Sequence, residues 1–199
     1  MIGNSQCIEP TNAAMSRRDN LLALLATRSA KRGTFTLASG RQSTLYIDAR
    51  ITTMSPDGLA LIGPLGLEAI RDAGWVVDSV GGLTMGADPI ACAVSYASAF
   101  SATPIRAFTV RKEPKTHGTG KLIEGAFQTG DRVAIIEDTI TTGGSAKKAI
   151  DAVRAAGGTV VGVLALVDRD EGGRLALEAY GVSVVALARA TEIVPLIPG

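Results

Sequence analysis

Apolar positions change their spacing near residue 75, and the change divides the chain into two textures. From Arg17 to Lys31 the leucines Leu21, Leu22, Leu24 and Leu25 share one helical face. Residues 33–50, "GTFTLASGRQSTLYIDAR", then read as two short strands around a tight turn at Ser39-Gly40. Ser55, Pro56 and Asp57 form a helix start: a hydroxyl cap, a proline at the first helical position and an acid in the first turn. Gly63, Pro64 and Gly66 interrupt the helical pattern that follows and predict a bend or two pieces.

Beyond residue 75 short runs rich in Val, Ile and Leu alternate with helical segments. "VVDSVGG", "IRAFTV", "RVAIIED", "TVVGVLALVD" and "VSVVAL" are strand candidates, with helices at about 87–99, 144–157 and 172–181. Nearly continuous apolar strands between helices predict an α/β fold, a mostly parallel central sheet flanked by helices. Ligands of such sheets bind at the carboxyl ends of the strands. The early helix and hairpin precede this pattern and form a hood over one edge. The expected organisation is a loose tail at 1–15 and a single domain at 16–199, its hood mainly 16–55 and its core about 56–188.

A chain of 199 residues with 46% hydrophobic positions has enough apolar surface for one full core. Its formal charge of +1 offers no general attraction for a nucleic acid, so recognition of negative charge must be local. Cys7 and Cys92 are too few for a disulfide framework or a zinc site. Cys92, inside "PIACAV", reads as a buried small hydrophobe, and a reducing cytoplasm fits. No apolar run approaches the length of a membrane span, and the leader lacks the pattern of a secretory signal.

Candidate chemistry concentrates in "VAIIEDTITTGGSAKKAI", residues 133–150. A strand at Val133–Ile136 carries two acids, Glu137 and Asp138, to the carboxyl edge of the sheet. The turn Thr139–Ser145 then opens a helix whose unsatisfied N–H groups and positive dipole end suit a phosphate. Gly143 and Gly144 allow close backbone approach, and Thr141, Thr142 and Ser145 add hydroxyl donors. Carboxylates beside such a cradle accept hydrogen bonds from a sugar diol or hold Mg²⁺. A glycine-rich strand-to-helix turn is common on its own; the adjoining acid pair makes this one specific. A second segment, "VRKEPKTHGTGKLIEG", gathers Arg111, Lys112, Lys115, His117 and Lys121 between glycines, a basic loop suited to a visiting anion.

"VAIIEDTITTGGS" resembles the phosphoribosyl-diphosphate (PRPP) signature of type I phosphoribosyltransferases. The basic loop is similar to the "RKExKxHG" catalytic loop of orotate phosphoribosyltransferases, here Arg111, Lys112, Glu113, Lys115, His117 and Gly118. "FTLASGRQSTLYIDAR" resembles that family's N-terminal hairpin, and "LALVDRDEGG" its base-binding segment; the likeness covers about residues 17–185. It implies the type I phosphoribosyltransferase fold and transfer of the phosphoribosyl group from PRPP to orotate, giving orotidine 5′-monophosphate and diphosphate in pyrimidine biosynthesis. Lys115 and Asp138 would be catalytic. Arg111, Lys112, Lys115 and His117 would contact diphosphate, and Glu137 and Asp138 the ribose hydroxyls. Thr139, Ile140, Thr141, Thr142, Gly143, Gly144 and Ser145 would hold the 5′-phosphate, and Thr141 and Arg169 orotate. Mg²⁺ would be bound mainly through PRPP rather than by a protein metal site. The family's form is a homodimer whose loop covers the partner's site, with Lys112 acting across the interface. Two departures stand out: Ala38 where many relatives have lysine, and Met85-Gly86 where a lysine is frequent. The rival readings are a transferase for another base and a non-catalytic PRPP-sensing regulator.

Overall fold

The strands around the middle of the chain bury both faces, and their side-chain alternation shows why they are apolar throughout. The computed structural model describes residues 15–36, 42–113 and 121–199. In β6 (Arg132–Ile140) and β7 (Thr159–Asp168), Ala134, Ile136, Leu164 and Leu166 face one core, while Val133, Ile135, Val163 and Ala165 face the other. A period of two thus splits one hydrophobic run between two layers. Each fully buried isoleucine contributes on the order of 1.5–3 kcal/mol relative to an exposed one.

Four further strands complete the sheet: β3 (Ser79–Leu83), β4 (Arg106–Val110), β5 (Ile123–Gly125) and β8 (Val184–Arg189). Their order is β5-β4-β3-β6-β7-β8, parallel except for the antiparallel β4–β5 pair. The first face is covered by α3 (Pro56–Asp72) and α4 (Ala87–Ser98), the second by α5 (Gly144–Ala155) and α6 (Gly173–Glu178). At the amino-terminal edge Asp131 accepts from Ser79 Oγ, the Gln128 N–H and Arg106 Nη2, locking β3, β4 and β6 together.

The N-terminal part begins with α1 (Arg17–Leu24), opened by a reciprocal cap between Ser16 and Asp19. A π-helical turn over Leu25–Ser29 follows, then a hairpin of β1 (Ala30–Thr36) and β2 (Gln42–Ile47) outside the main sheet. Leu21, Leu22 and Leu25 are buried in the same core as Ile62, Ile70 and Ile136, so α1 is rooted in the body of the molecule. A short α2 (Arg50–Thr53) leads into α3, and α7 (Ala190–Ile193) with a 3₁₀ turn closes the chain. Among the described residues no helix is long and apolar enough to cross a membrane.

Five local expectations need correcting. The first helix ends before Lys31, because residues from Ala30 onward pair with β2 as a strand. Of the bend or break foreseen around Pro64, the break does not occur: α3 is one helix, its buried face of Ile62, Leu67 and Ile70 outweighing the lost hydrogen bond. Strand β6 continues past Ile136 to Ile140, since β7 supplies partners along that whole length. The last predicted helix shrinks to α6. Cys92 is exposed rather than buried: Ala91 and Val94 turn inward, and Cys92 falls on the outer side of α4.

Candidate active site

Where β3 ends and β6 continues, the sheet opens into a cavity of about 410 Å³ at its carboxyl edge. β3 pairs with β6 only as far as Ile135, whereas β7 stays paired to Ile140. The acids of β6 lie on this half-freed stretch. Glu137 is 9% exposed and its Oε2 has no hydrogen-bond partner. Burial first, then the charge of Asp138 and a hydrogen bond to it, pushes Glu137 up to about 8. Burial also raises Asp138; the Thr139 N–H, donating to Oδ1 at 2.8 Å, and the charge of Arg50 oppose that rise. The pair therefore retains a proton near neutral pH. Sugar hydroxyls are the donors it lacks.

Three residues past the end of β6, Gly143 adopts φ +79 and forms the N-cap of α5. No side chain caps this helix, so its first-turn N–H groups face outward for a ligand. Any side chain at 143 would be strained by the backbone and would meet Leu177 Cγ at 2.9 Å. Thr139, Thr141 and Ser145 line the same cavity as the acid pair.

Arg169 enters from the end of β7. It is 8% exposed; Nη2 donates to Ser43 Oγ at 3.1 Å and to the Leu45 carbonyl at 3.0 Å, and it pairs with Glu171 at 2.8 Å. One guanidinium thereby straps the hairpin to the sheet beside the acids, and its charge-assisted hydrogen bonds fix it in the cavity wall. From the loop after β3, Gly86 packs so tightly against the Asp138 carboxylate that a Cβ there would collide with it. Asp88 is committed to that loop's own shape, accepting from Thr84 Oγ1 at 2.7 Å and Thr109 Oγ1 at 2.6 Å.

Of the residues singled out from the sequence, the cavity brings together Lys112, Glu137, Asp138, Thr139, Thr141, Ser145 and Arg169. Thr142, Gly143 and Gly144 lie in the intervening turn and helix start. Arg111 is exposed, its Nε 3.4 Å from the Glu113 carbonyl, and does not line the cavity. Ile140 does not line the cavity: its side chain is buried in the core and its carbonyl accepts the Arg169 N–H. Lys115, His117, Gly118, Ala38 and the Ser39-Gly40 turn lie outside the described residues. Sequence reasoning missed the contribution of the hairpin's end. Tyr46, Asp48 and Arg50 also line the cavity, and the only signal was a charged "DAR" closing an alternating strand.

No family model matches the chain. An orotate phosphoribosyltransferase of Aquifex aeolicus is 43% identical over 182 residues, covering 90% of this chain and 98% of that protein. One from Rhodopseudomonas palustris is 46% identical over 179 residues, covering 88% and 95%. Among solved structures, Mycobacterium tuberculosis orotate phosphoribosyltransferase in complex with PRPP matches with a TM-score of 0.76. Its identity is 42%, over 89% of this chain and 99% of that one.

Proposed function

The chain belongs to the orotate phosphoribosyltransferase family, and from that membership we propose that it transfers the 5-phosphoribosyl group of PRPP to orotate, releasing diphosphate, in pyrimidine biosynthesis. The observation that carries this reading is one cavity in which buried Glu137 and half-buried Asp138, an uncapped helix N-terminus and a buried arginine converge. In this reading the first-turn N–H groups of α5 and the hydroxyls of Thr141, Thr142 and Ser145 hold the 5′-phosphate. Glu137 and Asp138 accept from the ribose diol, which orients C1′ toward the base. Arg169 offers a planar fork to the orotate carboxylate, with Thr141 beside it.

Bond cleavage at C1′ leaves positive charge on the sugar and negative charge on the departing diphosphate. Lys112 on the cavity wall, with Arg111, Lys115 and His117 of the loop, stabilises that developing anion electrostatically. Negative charge on the acid pair, close to the diol, balances the cationic ring. Closure of the loop excludes water that would otherwise capture the sugar.

Among the described residues no group of three or more His, Cys, Asp or Glu side chains could hold a metal ion. The carboxylates of Glu137 and Asp138 in this cavity would fit an Mg²⁺ ion carried in on the diphosphate, adding oxygen ligands to those of substrate and water. When bound, Mg²⁺ neutralises charge on the leaving group.

A homodimer is part of the same reading. An apolar groove of about 790 Å³ runs between α3 and α4, where Tyr96 and Phe100 are 71% and 82% exposed and stack edge-on. Apolar surface of that kind suits a second copy of the chain, which would bring each basic loop to its neighbour's cavity. A reducing cytoplasm agrees with the free Cys92. Residues 16–199 act as one unit, supported by the core that α1 shares with the sheet.

The test is direct: the loss of orotate absorbance after adding PRPP and Mg²⁺. A preference for hypoxanthine or uracil over orotate would replace the base assignment, and tight PRPP binding without turnover would favour a sensor.

A further inference from the structure

The cavity wall holds one cation that the catalytic scheme above leaves without a task. Arg50 begins α2, directly after the hairpin, and lines the cavity together with Met85, Gly86 and Asp138. Its placement is constrained from both ends. The Asp48 carboxylate accepts from the Arg50 backbone N–H at 3.2 Å, from Nε at 2.8 Å and from Nη2 at 3.0 Å. Asp48 is itself fixed by its N–H, which donates to the Ser29 carbonyl at 2.9 Å. Behind Arg50, Thr52 is fully buried with its hydroxyl 2.8 Å from Ser29 Oγ. The short helix therefore cannot swing away without breaking buried hydrogen bonds. Nη1 of the guanidinium has no hydrogen-bond partner among the described residues.

The other cations of the wall differ. Arg169 is held by Glu171, Ser43 and Leu45 and assigned to the base, and Lys112, exposed like Arg50, has no carboxylate holding it among the described residues. Among the described cations of the wall, Arg50 joins a carboxylate mount to an edge that the scheme above leaves unassigned. Its neighbours also define which end of a ligand it meets. Asp138 is common to both sides: Gly86 presses against its carboxylate, and the Arg50 charge acts on it. If the α5 terminus takes the 5′-phosphate and the acid pair the diol, the Met85-Gly86 side lies across the sugar from the phosphate cradle. That is where the C1′ substituent projects.

We propose that Arg50, mounted by Asp48, is the fixed cation that receives the diphosphate group of the donor substrate, with Asp48 as its positioning residue. The assignment rests on the phosphoribosyl-transfer reading given above. It supplies a framework-held positive charge where the sequence shows no lysine at Met85-Gly86. A guanidinium held along one edge by a carboxylate presents the remaining N–H groups in a plane, which matches two phosphate oxygens better than a mobile ammonium would.

The experiment compares inorganic diphosphate and ribose 5-phosphate, each titrated with Mg²⁺ into the full chain by calorimetry. Arg50→Ala should weaken diphosphate by about tenfold to a hundredfold, the scale of one lost charge-assisted contact, with ribose 5-phosphate unchanged. In turnover, the KM for PRPP should rise while that for orotate stays level. Asp48→Asn should give a smaller loss, and the double variant should be no weaker than Arg50→Ala, because Asp48 acts through Arg50. Arg50→Lys should recover part of the diphosphate affinity, and Arg50→Gln replaces the alanine variant if that chain does not fold. Unchanged diphosphate affinity in a folded variant, an equal loss of ribose 5-phosphate, or a loss confined to orotate would each overturn the assignment. The two titrations need no orotate, so a wild-type chain that binds both ligands but fails to turn over orotate refutes the functional reading and not this one.

Discussion

Replacing Glu137 with glutamine should make the ligand-free protein more stable in alkaline solution while harming its use of PRPP. Glu137 is buried, and burial together with Asp138 raises it from an ordinary 4.5 to about 8. The native state therefore keeps a proton that the unfolded chain releases. Below pH 4.5 both states are protonated and the residue has no effect on the balance. Between 4.5 and 8 stability falls as pH rises, because ionisation is free in the unfolded chain and costly in the fold. At 1.36 kcal/mol per pH unit the full loss is on the order of 5 kcal/mol. Glutamine never ionises and can still donate to Asp138, so the variant should lack most of this slope. Urea unfolding at pH 5, 7 and 9 measures it. The two proteins should be nearly equal at pH 5, with the variant ahead by a few kcal/mol at pH 9, or roughly 5–15 °C in Tm for a chain this size. Parallel decline of both proteins across that range would refute the reasoning, since the cost of the buried charge would then lie elsewhere. The same variant should raise the KM for PRPP, because an amide NH2 takes the place of one carboxyl oxygen facing the diol.

Arg169→Lys should raise the KM for orotate by about tenfold or more, because an ammonium cannot make the paired contacts of a fork; steady-state kinetics at fixed PRPP checks it, and an unchanged KM removes Arg169 from the base site. Gly143→Ala should cost about 1–2 kcal/mol from the left-handed backbone alone, and weaken ribose 5-phosphate in calorimetry; full retention of both would mean the α5 terminus is not the cradle. Lys115→Ala should depress kcat far more than thermal stability. Mixing it with Asp138→Asn chains should restore activity in verified mixed dimers if loops serve the neighbouring subunit, and no recovery would confine each site to one chain.

Some of the molecule could be read from local pattern alone. "TVVGVLALVD" becomes β7 over the same ten positions, since a long β-branched run bounded by glycine and acid has few alternatives. The helix start at Ser55 is likewise local: its hydroxyl accepts from the Gly58 N–H. What escaped was decided by partners distant in sequence. Strand β5 has three residues and exists because β4 offers its edge. Arg50 and Tyr46 reach the cavity because Arg169, 124 positions after Leu45, ties the hairpin to the sheet. Cys92 failed for a different reason. In "PIACAV" every neighbour is apolar, so composition could not tell the inner from the outer side of α4.

The alternation of β6 between two cores makes the spacing before Glu137 less forgiving than its chemistry. A deletion of one residue among Val133–Ile136 would swap every following side chain to the opposite layer, drive the acids toward hydrocarbon and leave isoleucine facing the substrate. An exchange of one apolar side chain for another in that stretch does less harm. Drift in this chain should therefore trade one apolar letter for another there, while insertions and losses gather in the connections at the far edge of the sheet.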